Sequence, residues 1–256
     1  MSGPEAGALA ALGEDNLVLR AARRLAAQFG VPPRAALRLD KRLPAASGIG
    51  GGSSDAAAAL RALGMLWGLA LDGAALAVAA ALGADVPVCL AGRPAWVGGI
   101  GDSLTPLPDL PPLGVVLANP RRELPTPAVF RARQGSFAPA PVARVAIAGQ
   151  QSLLELLRGT RNDLTPAAVA LMPQIGPLLS RLAALPHAYL ARMSGSGATC
   201  FALFPDRLAA ARAVGRLAAE EPGWWCAAGE LLSGPPPLMP AGRGATGRAP
   251  PGQAPP

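Results

Sequence analysis

Lysine is all but missing from this chain: Lys41 is the only one in 256 residues, so arginine carries almost every positive charge. Histidine and tyrosine occur once each, as His187 and Tyr189, and aromatic residues make up only 4% of the sequence. A nucleic-acid surface interleaves basic and stacking side chains. Here the arginines are dispersed singly or in short pairs such as Arg23-Arg24 and Arg121-Arg122, so the formal charge of +7 does not read as one. A mild positive field suits small polyphosphates equally well. Long uncharged apolar runs are absent too. Arg61, Asp72 and Asp85 interrupt the Ala/Leu-rich stretch around 56–84 before it reaches the roughly 18 residues a membrane span needs. Cys89, Cys200 and Cys226 are odd in number and scattered, which excludes a disulfide framework or a zinc knuckle and predicts buried thiols in a reducing cytoplasm. The first residues lack the basic and apolar regions of an export leader, so a cytoplasmic protein without membrane or nucleic-acid partners is expected, its oligomeric state open.

Glycine, in contrast, is concentrated where it carries chemistry. The segment PAASGIGGGSSD (44–55) places Gly48, Gly50, Gly51 and Gly52 between an alternating stretch near Ala35–Asp40, read as a strand, and an Ala/Leu-rich helix expected from Ser53 to Trp67. Glycines can adopt positive φ and let backbone N–H groups approach an anion closely. A helix N-terminus adds its unpaired N–H groups and positive dipole end at the same place. Together they predict a phosphate cradle. It is not a P-loop, because Gly52 is followed by Ser53-Ser54-Asp55 instead of Lys-Ser/Thr. Nor is it a dinucleotide fingerprint: Ser53 stands where a third glycine or alanine belongs, and Asp72 falls between helical stretches. The candidate nucleotide-binding set is Pro44, Ala45, Ala46, Ser47, Gly48, Ile49, Gly50, Gly51, Gly52, Ser53 and Ser54. A bland glycine turn with Ser53 and Ser54 as ordinary N-caps, and Asp55 as a dipole partner in the first helical turn, is the competing reading.

LPAASGIGGGSSDAA resembles the ATP-binding motif of the GHMP kinases. GADVPVCLAG (83–92), NPRRELPTPAVF (119–130), MSGSGATCFALF (193–204) and NLVLRAARRL (16–25) are similar to the branch of that family acting on a cytidine-diphosphate-linked methylerythritol. The resemblance runs from about Asp15 to Leu231. It implies an α+β, two-domain GHMP kinase fold: a ribosomal protein S5 domain 2-like N-terminal domain, incomplete here, and a ferredoxin-like C-terminal domain. It also implies ATP and Mg²⁺ as cofactors and a cytidine-diphosphate-linked polyol as substrate, with its 2-hydroxyl as phosphoryl acceptor. By its place in GADVP, Asp85 is implied as the catalytic carboxylate that orients or deprotonates that hydroxyl, where composition alone would allow a mere cap. Thr126, Pro127 and Phe130 of the PTP…F segment are implied to bind substrate, Phe130 by stacking on cytosine; otherwise Phe130 is a core side chain on a short helix. Gly195, Ser196 and Gly197 are implied to close on the site from the second domain, or else form a plain glycine hairpin. No metal ligand is assigned.

One departure stands out. The family opens with a strand carrying a catalytic lysine and an asparagine, then a turn with a tyrosine and a histidine. MSGPEAGALAALGEDN resembles only the family segment that comes after all four. Lys41, in DKRLP, matches a different family position on the nucleotide side, and His187 and Tyr189 read as structural on the strand entering MSGSG. The expectation is an N-terminally shortened kinase with weak or absent activity and marginal solubility. A non-catalytic nucleotide-binding remnant and another GHMP enzyme such as homoserine kinase remain as alternatives.

Pro106, Pro108, Pro111 and Pro112 punctuate the chain and suggest a boundary, giving domains at 1–112 and 113–232. Helices are expected at Asn16–Gln28, Gly73–Leu82, Thr126–Arg131, Gln151–Leu157, Pro173–Ala184 and Asp206–Glu221. Strand-like pieces are expected over Val86–Leu107, then a buried strand in LGVVLANP, a strand–turn–strand element at Ala188–Phe204 and a last strand at Trp224–Leu231. The Gly/Pro/Ala-rich 233–256 reads as a disordered tail.

Overall fold

The computed structural model describes residues 1–7, 13–45, 47–139, 147–232 and 234. Ala46 of the glycine segment and nearly all of the 233–256 tail lie outside the described residues. The first half is helical. Asn16 caps α1 (Leu17–Phe29) by accepting a hydrogen bond from the Val18 amide at 2.9 Å, and Gly30 ends the helix in the left-handed region at φ 64°. Next come helices α2 (Gly51–Trp67), α3 (Gly73–Leu82) and α4 (Val86–Ala91), with Asp72 capping α3 through the Ala74 amide. Ala21 and Leu25 of α1 are a turn apart on one face and meet Ala57, Leu60 and Leu63 of α2, Val78 and Leu82 of α3, and Val86 and Leu90 of α4 in one core. Strands β1 (Ala95–Gly98) and β2 (Ser103–Pro106) form an antiparallel hairpin beyond it.

The second half runs β3 (Gly114–Asn119), α5 (Thr126–Ala132), α6 (Gln150–Arg158), α7 (Thr165–Leu171), α8 (Ile175–Ala183), β4 (Leu190–Met193), β5 (Cys200–Phe204), α9 (Arg207–Glu220) and β6 (Trp225–Glu230). The four strands form an antiparallel sheet in the order β4-β5-β3-β6. Taken in chain order, that is the split βαββαβ arrangement of a ferredoxin-like layer, with α8 and α9 as its connecting helices. Strand alternation sorts the core. Val116, Ala118, Cys200, Ala202 and Phe204 face Ile175, Leu178 and Leu182 of α8 and Ala213 and Leu217 of α9. On the opposite face Leu203 and the partly buried Val115 and Phe201 meet Leu153 and Leu154 of α6.

Four expectations are corrected. Residues 31–39 form no strand: Ser2 makes the one bridge, to Asp40, and Leu37 is exposed, so the alternation there has neither a ladder nor a core to serve. Val86–Ala91 is a helix, not a strand; Pro87 falls in its first turn, where a missing N–H costs nothing. Helix α2 starts at Gly51, two residues early, with Gly50 at the N-cap, so Ser53 and Ser54 are not caps and Asp55 lies in the second turn. Helix α7 was not anticipated at all. His187 lies in the turn before β4 with a φ of 69° and is exposed, while Tyr189 packs at the edge of the Leu113–Leu203 core.

Candidate phosphate and acceptor site

Gly48 and Gly50, at φ 74° and 66°, swing the chain from Ser47 into α2. The first loop amide to find a backbone acceptor is Ser54, which bonds to the Gly50 carbonyl at 2.8 Å. Among the described residues no acceptor is recorded for the amides of Gly48 through Ser53, and no side chain caps the helix. Those N–H groups therefore lie at the positive dipole end of α2 with no protein acceptor among the described residues, the situation an anion resolves. The Ser47 hydroxyl is used internally, donating to the Pro44 carbonyl at 2.8 Å.

Lys41 lies beneath this loop. Its Nζ is 2.6 Å from Asp55 Oδ2, with the lysine side chain 5% exposed and the aspartate 26%. The pair links the segment entering the loop to the second turn of α2. It occupies the sole lysine of the chain, which also reaches the cleft wall.

From the other half of the molecule, the turn between β4 and β5 packs onto the loop. Ser194 Oγ donates to the Gly48 carbonyl at 2.9 Å, and the Thr199 amide bonds to the Ser47 carbonyl at 3.2 Å. Contact is so close that a Cβ on Gly48 would sit 2.3 Å from the Gly197 carbonyl oxygen. Ser196 and Thr126 join their hydroxyls at 2.7 Å, bringing the start of α5 to the same turn. Asn119, at the end of β3, steadies the arrangement with a buried 2.8 Å bond to Thr199 Oγ1.

A cleft of about 360 Å³ opens between these parts. It is lined by Lys41 and residues of the Pro44–Ser53 loop, by Asp85 at the head of α4, by Leu17 of α1, and by Leu124, Pro125 and Thr126 at the start of α5. Asp85 is exposed, and although its backbone carbonyl accepts from the Cys89 amide at 3.2 Å, its side chain caps nothing and makes no hydrogen bond or ion pair among the described residues. Ile49, Ser54, Pro127, Phe130, Gly195, Ser196 and Gly197 do not line the cleft. Ser54 faces instead a second cavity beside Arg61, with its Oγ 3.5 Å from Cys89 Sγ. Burial pushes the Cys89 thiol above its ordinary pKa; the Ser54 hydroxyl opposes the rise and Asp85 adds to it. Phe130 is 52% exposed, which sets aside its reading as a core side chain. Asn162, Ser194 and Thr199 were missed by sequence reasoning. For Asn162 the signal was an Asn-Asp-Leu-Thr-Pro run before a helix, a pattern of side-chain-to-backbone bonding at helix starts.

Among the described residues no group of three or more His, Cys, Asp or Glu side chains could hold a metal ion, and no helix is long and apolar enough to cross a membrane. A glycine cradle at a helix N-terminus, facing an open carboxylate across a cleft closed by a ferredoxin-like layer, is the construction of a phosphoryl-transfer enzyme. The pattern of the GHMP kinases N terminal domain matches residues 16–93, and that of the GHMP kinases C terminal domain matches residues 145–222. The chain belongs to the GHMP kinase family. It is 52% identical over 233 residues to 4-diphosphocytidyl-2-C-methyl-D-erythritol kinase of Rhodospirillum rubrum, covering 91% of this chain and 76% of that one. A crystal structure of 4-(cytidine 5'-diphospho)-2C-methyl-D-erythritol kinase superposes with a TM-score of 0.74 at 36% identity, over 87% of this chain and 80% of the other. Homoserine kinase from Cytophaga hutchinsonii, at 19% identity and a TM-score of 0.69 over 91% and 81%, shares the fold.

Proposed function

We propose that this chain transfers the γ-phosphoryl group of ATP to the 2-hydroxyl of 4-diphosphocytidyl-2-C-methyl-D-erythritol. The observation that carries the reading is the open Asp85 carboxylate across one cleft from the unsatisfied amides of the glycine loop. The named relatives support the choice of acceptor, and the likeness to homoserine kinase speaks for the fold alone.

Phosphoryl transfer asks the protein chiefly for positioning and charge stabilisation. The amides of Gly48 and of Gly50 through Ser53 hold the phosphates, all from residues of the cleft wall. Asp85 accepts the hydroxyl proton as the acceptor oxygen attacks in line; its freedom from other partners leaves the carboxylate available for that bond. Thr126 borders the acceptor end, and Phe130, one helical turn later and half exposed, stacks on the cytosine. Mg²⁺ would enter with the nucleotide, and Ser53 in the cleft wall would offer it an oxygen donor suited to a hard cation that keeps most of its waters. When bound, it neutralises phosphate charge. Ala46, outside the described residues, completes the loop by sequence. The division at 112/113 assigns the Ala21–Leu60–Val78 core to an ATP-binding domain and the sheet with its two faces to a second one. The cytoplasm is the proposed compartment.

A coupled assay with Mg-ATP, comparing this acceptor with homoserine, tests the reading. Turnover of the cytidine-linked acceptor alone supports it, and turnover of homoserine overturns the choice of acceptor. Nucleotide binding with no turnover of either would favour the non-catalytic reading.

A further inference from the structure

The turn that closes on the phosphate loop is itself held from behind by one side chain. Asn162, half-buried ahead of α7, donates through Nδ2 to the carbonyls of Met193 at 3.0 Å and Gly195 at 2.8 Å. Its Oδ1 accepts from the Leu164 amide at 2.9 Å. The three bonds fix which end of the amide faces which way, because a flipped group would set oxygen against two carbonyls and NH₂ against N–H. No other side chain among the described residues donates to either carbonyl. On its inner side the same turn grips both halves of the site, through Ser194 to the Gly48 carbonyl and through Ser196 to Thr126.

We propose that Asn162 is a positioning residue for phosphoryl transfer, acting through the Ser194–Gly197 turn to fix the phosphate loop at Gly48 and the acceptor wall at Thr126. The inference rests on the reading of the cleft as a nucleotide and acceptor site. A purely structural Asn162 would serve only the start of α7 through Oδ1. Asn162→Asp separates the two roles. It is nearly isosteric and keeps an acceptor for the Leu164 amide, but replaces the donor with a carboxylate oxygen facing two carbonyl oxygens.

The test combines titration with adenylyl imidodiphosphate and Mg²⁺, a kcat and KM split with the cytidine-linked acceptor, and a thermal melt. Small misplacements at such sites cost up to about a hundredfold in rate. Asn162→Asp is therefore expected to weaken analogue binding about tenfold and to lower kcat, with a cooperative melt lowered by only a few degrees, about 2–4 °C. Ser194→Ala is expected to do the same, and the double variant to be no worse than the poorer single one, as two links of one chain require. Parent-like analogue binding and turnover in Asn162→Asp would overturn the proposal, as would losses that multiply in the double variant. Should Asn162→Asp fail to fold, Ser194→Ala decides alone: parent-like analogue affinity there overturns it. If the parent binds the analogue but does not turn over this acceptor, the substrate reading falls while the analogue titration still judges Asn162.

Discussion

Lys41 Nζ and Asp55 Oδ2 stand 2.6 Å apart beneath the glycine cradle, the lysine almost wholly buried and the aspartate partly solvated. The pair ties the approach to the phosphate loop to α2. Removing one partner strands a charge, whereas removing both does not. Asp55→Asn is expected to cost about 2–3 kcal/mol, below the full range for a buried pair because Asp55 keeps some solvent. That corresponds to a fall of roughly 5–10 °C in Tm. Lys41→Met combined with Asp55→Asn is expected to recover most of the loss. Thermal melts of the three variants check this, and a double variant as unstable as the Asp55 single one would contradict it.

The exposed Asp85 side chain makes no hydrogen bond or ion pair that a substitution could break. Asp85→Asn is therefore expected to leave the melt unchanged while lowering kcat by about 10²–10⁴, the usual worth of a positioned general base. Steady-state kinetics and a melt on the same preparation read both. Retained turnover would remove Asp85 from the chemistry.

Gly48 and Gly52 share a loop but not a constraint. At Gly48 a side chain meets both a φ of 74° and the Gly197 carbonyl oxygen; at Gly52, inside the first turn of α2, a Cβ meets nothing within 4 Å. Gly48→Ala is expected to destabilise by about 1–3 kcal/mol and to weaken nucleotide binding, since the turn must move away from the loop. Gly52→Ala is expected to keep or slightly raise stability. Urea midpoints of the two variants, with nucleotide titration of the first, settle the contrast.

Phe130, half exposed on the short α5, has little core to lose. Phe130→Ala is expected to shift stability by less than about 1 kcal/mol, far from the ~3–5 kcal/mol of a buried phenylalanine. Stacking on a base contributes about 1–3 kcal/mol, so KM for the cytidine-linked acceptor should rise roughly 5- to 150-fold with KM for ATP unchanged. A large drop in Tm would restore a packing role.

Local signals explain what sequence reasoning could see. Glycine spacing exposed the cradle, the expected helices at Asn16, Gly73 and Asp206 begin at or beside the observed Asn16, Asp72 and Asp206 caps, and LGVVLANP and the Ala188–Phe204 element supply the two central strands. Failures came where partners decide. Leu37 and Leu39 alternate as a strand would, yet no ladder forms around them. Val86–Ala91 read as strand-like, yet it is a helix whose Pro87 sits where a helix tolerates it. The Lys41–Asp55 pair and Asn162's grip on Met193 and Gly195, 31 and 33 positions away, are products of the tertiary fold and leave no local trace.

The thiols supply a pH test independent of catalysis. Cys200, enclosed by the sheet and α8, is pushed by burial from 9.0 to about 12, and Cys226 to about 11 by burial, with Glu221 adding to the rise and Arg121 opposing it. A thiol whose folded pKa is raised stabilises fully below the unfolded value, and that contribution fades as pH climbs toward the folded one. The urea midpoint should therefore hold up to about pH 9 and decline above it, as unfolded chains gain thiolates that the folded chain refuses. Cys200→Ala should flatten part of that decline while lowering stability at neutral pH only modestly, because a small apolar side chain replaces a buried thiol. In the native protein at pH 8, Cys200 should resist a thiol reagent that labels it readily in urea. Rapid native labelling of Cys200, located by peptide mapping, would contradict both the burial and the pH argument.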